Sequence, residues 1–317
     1  NLNKFFNNWN YDGSSTAQAK GSDSEVILKP VYYVNDPFRR HLHCPCFLVL
    51  CETLLPSGEP HPTNKRRMAK QFFDNYIDKV PMFGLEQEFF LTKDGLPIGF
   101  KNPTKFPAPQ KNYYCGIGGG HAVGRECVEE AFDHMLYSGL SITGLNAEVA
   151  PAQWEFQVCN YGITASDQLM MLRYILNRTA EKYDWNISYH PKPVKGDWNG
   201  SGCHTNFSTK EMREEGGMVH IMNAINNLEK VHSVHMDNYG DYNKERLTGA
   251  HETAPYDKFS FGVANRGASI RIPRSTEADN CGYFEDRRPS ANMDPYLVTT
   301  FILASSINPR LLVSLTH

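Results

Sequence analysis

Residues 83–89 have the sequence Phe-Gly-Leu-Glu-Gln-Glu-Phe, in which acidic side chains alternate with larger ones. A period of two is typical of a β-strand, and it places Glu86 and Glu88 on the same face. The opposite face carries Leu85 and Phe89, which fit a core. Two neighbouring carboxylates repel each other unless a cation or an arginine lies between them. The segment therefore predicts a strand with one core face and one face that either binds ligands or meets solvent.

Three other segments also gather polar side chains on one face of a predicted strand. These positions are Glu148 and Glu155 in residues 146–158; His204, Asn206 and Ser208 in residues 204–208; and Tyr283, Glu285 and Arg287 in residues 283–289. Small and apolar residues surround the first pair, and buried carboxylates need partners. Each segment alone is compatible with an exposed surface, but the four together predict a common cleft.

The side chains of this predicted cleft suit hard divalent cations. Five carboxylates and one imidazole favour Mg²⁺ or Mn²⁺ over a thiolate zinc site, and six ligands suffice for two or more ions. A His-rich catalytic zinc is the weaker alternative, because the sequence has no HExxH motif. The complementary positive charges are Arg246, Arg266, Arg271 and Arg287. This combination is typical of phosphoryl transfer, so we expect a nucleoside triphosphate as a substrate.

The composition of the 317-residue chain is that of an ordinary globular protein, with 40% hydrophobic residues and a formal net charge of -3. It has no Lys/Arg block to attract a phosphate backbone or an anionic lipid surface, and no apolar run of bilayer-spanning length. We therefore expect neither a nucleic-acid nor a membrane partner. No secretory signal is visible. We expect a cytoplasmic protein, or an organellar one if a leader has been removed.

The cysteines and a glycine-rich segment are interpreted as structural features rather than as binding sites. Cys44, Cys46 and Cys51 lie close together in the sequence and could form a partial metal or redox site. Because we find no histidine nearby at ligand spacing, we interpret them, like most of the eight cysteines, as buried thiols without a ligand. The glycine-rich residues 116–121 match neither the dinucleotide-binding fingerprint nor the P-loop. They predict a tight loop, with a phosphate cradle as the alternative.

Apolar patterning predicts strands over residues 25–34 and 47–54, followed by alternating helices and strands. The predicted helices cover residues 63–79, 124–139 and 218–231, together with a helix that Ser166 caps and that carries Leu169, Leu172, Leu176 and Ala180 on one face. A boundary near residue 60 separates an N-terminal region from a larger one.

Six long motifs occur in order along the chain. They are FGLEQE from Phe83, NAEVAPAQWEFQ from Asn146, GDWNGSGCHTNFSTK from Gly196, RLTGAHET from Arg246, VANRGASIRIPR from Val263 and GYFEDRRPSANMDP from Gly282. With these motifs the sequence resembles the glutamine synthetases of the eukaryotic type over nearly its whole length. The resemblance implies an α+β fold. Residues 1–61 would form a partial β-grasp domain whose first strands are missing from this sequence, and residues 62–317 a catalytic α/β domain with a curved antiparallel sheet that forms a half-barrel.

The resemblance also implies an activity. Such enzymes use ATP to ligate ammonia to L-glutamate, giving L-glutamine, ADP and phosphate through a γ-glutamyl phosphate intermediate. The cofactors would be two or more Mg²⁺ or Mn²⁺ ions per site. The partners would be glutamate, ammonium and ATP, and the assembly would be a homo-oligomer of two stacked pentameric rings with sites between subunits.

Matching the motifs assigns roles to individual residues by resemblance. One metal would be held by Glu88, Glu148 and Glu155, and the other by Glu86, His204 and Glu285. ATP would be bound by Glu155, Phe156, Gln157, Asn160, Asn206, Ser208, Arg266, Arg271 and Tyr283. Glutamate would be bound by Trp198, Asn199, Gly200, Arg246, Arg266 and Arg287. The catalytic residues would be Asp12, Glu252, Arg271 and Arg287, with Ser15 and Tyr114 beside the ammonium and Asp12 acting in a neighbouring subunit's site.

Two alternatives remain open at this point: a catalytically silent structural relative, and a γ-glutamyl ligase that uses another amine. The retained acidic residues argue against a silent relative, because their repulsion would be unrelieved without metal. Met82 and Ala250 depart from the family pattern, which often has Trp at the first position and a larger residue at the second. Ala250 is the substitution that would leave room for a bulkier amine.

Overall fold

The computed structural model describes residues 2–100, 112–313 and 315, and within them the chain has an α+β fold with two β-sheets. The strands are β1 (Trp9–Asp12), β2 (Glu25–Asn35), β3 (Phe47–Leu54), β4 (Met82–Lys93), β5 (Leu96–Pro97), β6 (Ile142–Ala147), β7 (Gln153–Tyr161), β8 (Asn186–Ser188), β9 (Cys203–Ser208), β10 (Phe261–Val263), β11 (Ile270–Ile272) and β12 (Phe284–Asp286). The helices are α1 (Lys65–Asn75), α2 (Arg125–Ser138), α3 (Ile163–Glu181), α4 (Lys210–Arg213), α5 (Met218–Lys230), α6 (His232–Asn238), α7 (Asn243–Arg246), α8 (Arg274–Asp279), α9 (Pro295–Ile307) and α10 (Arg310–Val313).

The N-terminal sheet has three antiparallel strands in the order β1, β2, β3. β2 and β3 confirm the two strands that apolar patterning predicts. Their register shifts between Pro30 and Tyr32, because proline has no backbone N–H to donate to a ladder. β1 lies at one edge of this sheet and ends at Asp12, whose carboxylate accepts a hydrogen bond from the backbone N–H of Ser14 at 2.9 Å.

The larger sheet contains nine strands within the described residues, and β4 lies inside it between β7 and β9. The strand order is β10, β11, β12, β9, β4, β7, β6, with β5 and β8 paired to the far end of β4. Neighbouring strands are antiparallel except β10 and β11. The register places Glu88 opposite Glu155 and Glu86 opposite His204, so the strands with predicted ligands are hydrogen-bonded to one another.

One face of β4 enters the hydrophobic core, as its period of two predicts. Leu85 and Phe89 are fully buried, and Gln87 between them accepts a hydrogen bond from Nε of Arg173 at 2.8 Å. α2, α3, α5 and α9 contribute side chains to the same core. α9 is buried along most of its circumference, which explains its almost continuous apolar sequence. No helix in the described part of the chain is both long and apolar enough to cross a membrane.

A buried ion pair joins three helices that are far apart in the sequence. The guanidinium of Arg66 on α1 donates to both carboxylate oxygens of Asp167 on α3, from Nε at 2.8 Å and from Nη2 at 2.7 Å. The hydroxyl of Tyr296 on α9 donates to the same carboxylate at 2.7 Å. Arg66 and Asp167 are both buried, so each compensates a charge that would otherwise be costly in the interior.

Two predictions about local structure are wrong. α3 begins at Ile163 with Gly162 in the cap position, so Ser166 does not cap it. Ser166 is instead buried inside the helix, where its hydroxyl donates to the carbonyl oxygen of Pro295 at 3.1 Å. The other predicted helices are confirmed with shorter bounds as α1, α2 and α5.

Residues 146–158 form two strands rather than one. β6 ends at Ala147, β7 begins at Gln153, and the two pair antiparallel as a hairpin. Ala152 adopts a left-handed conformation with φ of 63°, which helps to reverse the chain after Pro151. Glu148 therefore lies on the turn, whereas Glu155 lies on a strand.

We expect Asp167→Ala to lower the free energy of unfolding by about 3–5 kcal/mol, because it removes the carboxylate hydrogen-bonded to buried Arg66 and leaves only Glu52, 3.9 Å away, as its acidic partner. The control is Asp74→Ala, which removes an exposed i,i+4 partner of Lys70 and should cost about 0.3–0.5 kcal/mol. Urea unfolding of both variants measures the difference. Equal effects of the two substitutions would contradict the role given to the buried pair.

Candidate active site

The first acidic cluster consists of Glu88, Glu148 and Glu155, which offer carboxylate oxygens that lie within 4.8 Å of one another. Glu88 and Glu155 come together because β4 and β7 pair in register, and the β6–β7 turn adds Glu148. All three side chains are buried. Three close carboxylates on rigid backbone form a suitable site for a hard divalent cation.

Neutral donors hold the carboxylates of the first cluster in place. The backbone N–H of Gly202 donates to Glu88 at 2.6 Å, and the side-chain amide of Gln157 donates to Glu155 at 2.7 Å. Glu148 accepts from the side-chain amide of Asn146 at 3.0 Å and from the backbone N–H of residue 149 at 3.2 Å. Among the described residues, none of these three carboxylates forms an ion pair with an arginine or lysine within 4.0 Å.

The second cluster consists of Glu86, His204 and Glu285, on the adjacent strands β4, β9 and β12. Nδ1 of His204 lies 3.3 Å from Oε2 of Glu86 and 3.4 Å from Oε1 of Glu285. The other ring nitrogen, Nε2, accepts a hydrogen bond from Nη2 of Arg246 at 3.0 Å. The nitrogen that faces the two carboxylates is therefore Nδ1.

Arginines neutralise the second cluster in part. Nη1 of Arg287 donates to Glu285 at 2.6 Å, and Nη1 of Arg271 donates to the other oxygen of the same carboxylate at 3.1 Å. The backbone carbonyl oxygen of Arg266 accepts from Nε of Arg287 at 3.1 Å. Three of the predicted arginines, Arg246, Arg271 and Arg287, therefore contact the second cluster directly, which makes it the better neutralised of the two. The charge of Arg266 acts on Glu86 and also on Glu148 of the first cluster.

Burial raises the pKa of four acidic ligands. It raises the pKa of Glu88 to about 8, with a further contribution from the charge of Glu148, and it raises the pKa of Glu148 to about 7. The pKa values of Glu86 and Glu155 are also raised, mainly by burial. Burial and the neighbouring Arg287 lower the pKa of His204, so its imidazole is neutral. A cation is the partner that would make these carboxylates stable as anions.

A cavity of about 310 Å³ opens beside Glu86, between β4, β7, β9 and β12. It is lined by Met82, Gly84, Glu86, Thr143, Gln157, Cys159, Asn206, Phe207, Ser208 and Tyr283. Four residues predicted to bind ATP, Gln157, Asn206, Ser208 and Tyr283, therefore share one cavity. Two others point away from it: the ring of Phe156 packs in the core against Phe89, and the amide of Asn160 donates to Ser141.

Residues predicted to bind glutamate contact the loop that contains His251 and Glu252, here called the Glu252 loop, next to the second cluster. The side-chain amide of Asn199 donates to the carboxylate of Glu252 at 3.2 Å, and Nη2 of Arg287 donates to the Glu252 carbonyl oxygen at 3.2 Å. Gly200 makes a close approach, because a Cβ at this position would lie 2.2 Å from the carbonyl oxygen of Pro191. His251 and Glu252 both have positive φ, 53° and 56°, so the loop carries backbone strain.

Trp198 and Tyr114 flank this region. The ring of Trp198 makes an edge contact with Phe100 at a centroid distance of 4.9 Å. Tyr114 is half exposed, and burial together with the charge of Glu148 raises its pKa, which places its hydroxyl in the field of the first cluster.

Asp12 and Ser15 belong to the N-terminal sheet and lie outside both acidic clusters. The carboxylate of Asp12 accepts hydrogen bonds from the backbone N–H and the hydroxyl of Ser14, and these contacts lower its pKa. Ser15 lies in the short 3-10 helix that follows Asp12 and is exposed. The single chain therefore does not bring these two residues into either group of ligands.

Sequence reasoning missed several residues that position the ligands. Asn146 and Gly202 hold Glu148 and Glu88. Gln153 donates to the carbonyl oxygen of Gly200 at 2.9 Å and so joins the β6–β7 hairpin to the loop before β9. The contact of Asn146 could have been predicted, because Asn146 precedes Glu148 by only two residues. The contact of Gly202 could not, because its backbone N–H is the donor and the residue type does not indicate where that N–H lies.

Two acidic clusters on one sheet, with four arginines at their border, define a site of the class that binds divalent cations and anionic substrates.

Comparison with known proteins gives the family. The family model described as "Glutamine synthetase, catalytic domain" matches residues 62–235. A cytosolic glutamine synthetase isozyme of Medicago sativa is 51% identical over 308 residues, which cover 94% of this chain and 84% of that protein.

Two other relatives agree. A cytosolic glutamine synthetase isozyme of Daucus carota is 52% identical over 303 residues, 94% of this chain and 85% of the relative. A chloroplastic/mitochondrial glutamine synthetase of Arabidopsis thaliana is 50% identical over 304 residues, 94% of this chain and 70% of the relative. The chain belongs to the glutamine synthetase family, which confirms the resemblance noted from its motifs.

The raised pKa values predict how metal binding depends on pH. Glu88 and Glu148 hold protons in the folded state up to about pH 8 and pH 7, whereas unfolded carboxylates lose them near pH 4.3. The folded state therefore binds more protons across this window, and the stability of the metal-free protein should fall as pH rises from about 5 to 8. Mg²⁺ or Mn²⁺ replaces these protons, so its stabilising effect should grow over the same range.

Melting temperatures with and without Mg²⁺, measured at about pH 6 and about pH 8, test this expectation. Glu88→Gln should stabilise the metal-free protein at the higher pH and reduce the shift that Mg²⁺ causes. Glu211→Gln, which changes a half-buried partner of Lys79 outside both clusters, should leave the metal-induced shift as it is. A metal-induced shift that shrinks with rising pH would contradict the proposed exchange of protons for metal.

Proposed function

We propose that the two acidic clusters are the centre of a glutamate–ammonia ligase site in this chain. Family membership gives the reaction, in which ammonia is joined to L-glutamate to form L-glutamine. The observation that carries the assignment to this site is the meeting of two complete sets of three ligands on neighbouring strands of one sheet. ATP is the co-substrate, because a carboxylate becomes an acylating agent only when its oxygen is converted to a good leaving group.

Glu88, Glu148 and Glu155 would hold one divalent cation, and Glu86, His204 and Glu285 the other. Mg²⁺ and Mn²⁺ both suit these ligands, since oxygen donors dominate and no thiolate is present in either cluster. When bound, the ions balance the negative charge of the transferring phosphoryl group. Arg271 and Arg287 both donate to Glu285, so their positive charges lie beside the metal that the second cluster would hold.

The nucleotide would occupy the cavity beside Glu86. Its lining offers amide and hydroxyl groups from Asn206, Ser208 and Tyr283, and its inner end reaches the second cluster at Glu86. The phosphates would then lie at the metal end, near Arg266 and Arg271. Phe156 and Asn160 would contribute through backbone atoms, because their side chains are engaged elsewhere.

Glutamate would lie between Arg246, Arg287 and the loop of Trp198, Asn199 and Gly200. The γ-carboxylate attacks the terminal phosphorus of ATP, the bond to the bridging oxygen of ADP breaks, and γ-glutamyl phosphate forms. Ammonia then forms the new C–N bond while phosphate leaves. Two arginines in a buried site supply the charge that neutralises the substrate carboxylates.

Ammonium has to lose a proton before it attacks. Glu252 is suited to accept it, because the strained loop and the contacts of Asn199 and Arg287 fix its position beside the second cluster. Tyr114 would border the same pocket. Asp12 and Ser15 would complete it from a neighbouring copy, which is the reason to propose a homo-oligomer with sites between subunits, arranged as two stacked pentameric rings.

The finer architecture follows the same reasoning. Residues 1–61 would form a partial β-grasp domain around the three-stranded sheet, and residues 62–317 a catalytic domain whose large sheet curves into a half-barrel. The relatives named cytosolic isozymes favour a cytoplasmic enzyme. No nucleic acid or membrane partner enters the proposed function.

Release of phosphate and formation of glutamine by the purified protein, supplied with Mg-ATP, glutamate and ammonium, test the proposal. Equal amounts of the two products are expected, and omission of any substrate should abolish both. Glu155→Gln should reduce the rate by at least about 100-fold, since it removes a charged ligand from the first cluster. Glu211→Gln is the matched control, because Glu211 pairs with Lys79 and lies outside both clusters.

If the assembled, metal-loaded protein formed neither product, the ligase assignment would be abandoned in favour of a structural relative. Faster phosphate release with an alkylamine than with ammonium would instead favour a ligase for another amine. Ala250 is exposed on the Glu252 loop, and its small side chain would leave room for an amine larger than ammonia.

Arg287 offers a second test. Its three guanidinium nitrogens contact Glu285, Arg266 and Glu252 at once, whereas the compact ammonium of a lysine cannot span all three partners. We expect Arg287→Lys to reduce kcat/KM for glutamate about 10- to 100-fold, the loss expected for one charge-assisted hydrogen bond. Arg274→Lys alters an exposed pair with Glu277 and should keep the parent value. Equal kinetics in both variants would remove Arg287 from the site.

A further inference from the structure

A separate group of side chains that can bind a metal ion lies in the loop before β3, outside both acidic clusters. Residues 41–46 have the sequence His-Leu-His-Cys-Pro-Cys, which places two imidazoles and two thiols within six positions. The interpretation of Cys44 and Cys46 as buried thiols is wrong, because the first is exposed and the second half-buried. It also left out the two histidines that precede them. A buried environment therefore does not explain why the thiols occur here.

The loop that carries these residues is anchored at its base. It follows the short 3-10 helix Pro37–Arg39 and leads into β3. The backbone N–H of Asp36 donates to the carbonyl oxygen of Cys46 at 2.9 Å, next to the last paired position of β2 and β3. The pyrrolidine ring of Pro45 fixes φ between the two cysteines. The backbone therefore presents both thiols from a closed and restricted turn.

The two thiols point at each other. Sγ of Cys44 lies 3.9 Å from Sγ of Cys46, whereas a disulfide requires about 2.05 Å. Two thiolates bound to one tetrahedral Zn²⁺, with Zn–S bonds of about 2.3 Å, would have their sulfur atoms about 3.8 Å apart. The observed separation therefore matches one edge of a tetrahedral thiolate site.

The two histidines of this loop are free of the core. His41 and His43 are exposed, as are Leu42 and Cys44, so their side chains rotate freely compared with groups in a core. In the described part of the chain, the groups with three ligand atoms within 4.8 Å are the two acidic clusters. A third and a fourth ligand for the thiol pair would therefore come from rotation of the two imidazoles.

We propose that residues 41–46 bind one thiophilic cation of the Zn²⁺ class, with Cys44 and Cys46 as thiolate ligands and His41 and His43 as imidazole ligands. Soft thiolates and neutral imidazoles select such ions, whereas the acidic clusters select hard ions. Each thiol loses its proton as its sulfur–metal bond forms, so two protons are released per ion. The two kinds of site therefore discriminate between metals within one chain.

Cd²⁺ is a suitable probe, because its bonds to thiolates absorb in the ultraviolet and its bonds to oxygen ligands do not. The full chain, reduced with a phosphine and saturated with Mg²⁺, is titrated with Cd²⁺. We expect a thiolate band that saturates at one equivalent per chain. Cys44→Ser and Cys46→Ser should each abolish the saturating band. Cys281→Ser, which changes another partly exposed thiol, should retain it.

The histidines are tested separately. His41→Ala combined with His43→Ala should keep the band but require more Cd²⁺ to reach saturation, whereas an unchanged titration would overturn the role of the imidazoles. A saturating band that survives both cysteine substitutions, or none in the parent protein, would overturn the site. Melting temperatures equal to that of the parent would establish that the variants are folded. The same variants should form glutamine at the parent rate, which separates this test from that of the ligase.

Discussion

Burial of Glu88 directly opposite Glu155 is the constraint on which the larger sheet depends, because the two carboxyl groups hold protons without a cation and repel each other as anions. The two carboxylates lie directly opposite each other on β4 and β7, and both are buried. An antiparallel ladder would normally avoid this pairing, because like charges at opposed positions destabilise it. The hydrogen bonds of the ladder, and the apolar face with Leu85 and Phe89 on the other side of β4, hold the strands together against this repulsion.

The two clusters meet this constraint in different ways. Around Glu285 the protein supplies its own cations, since Arg271 and Arg287 each contact the carboxylate. Around Glu88 the hydrogen-bond donor is the uncharged backbone N–H of Gly202, and the charges of Arg246 and Arg287 act on the carboxylate without forming an ion pair with it. Uncharged donors fix the direction of a carboxylate but leave its charge in place. An added cation should therefore bind more strongly to the first cluster. In the second cluster the cation would interact with carboxylates that arginines already neutralise in part.

Much of this arrangement could be predicted from the sequence because it follows from strand periodicity. The alternation around Glu86 and Glu88 fixed the ligand face, and the long motifs fixed the family. The hairpin within residues 146–158 could not be predicted from alternation, because apolar residues continue through the turn and only Pro151 marks it. The orientation of Phe156 was missed for a related reason, since matching a motif does not say whether a residue acts through its side chain or its backbone. The role of Gly202 is a property of backbone position, which no residue type encodes.

The ion pair between Arg66 and Asp167 has a consequence for the way the chain is made. Its third member, Tyr296, lies 129 residues beyond Asp167, and Arg66 lies 101 residues before it. A ribosome that adds about 5–20 residues per second needs roughly 10–50 s to pass from Arg66 to Tyr296. During that interval the N-terminal half carries charged groups whose burial is not yet possible. The nascent chain therefore completes this three-helix contact only after its last long helix has been synthesised.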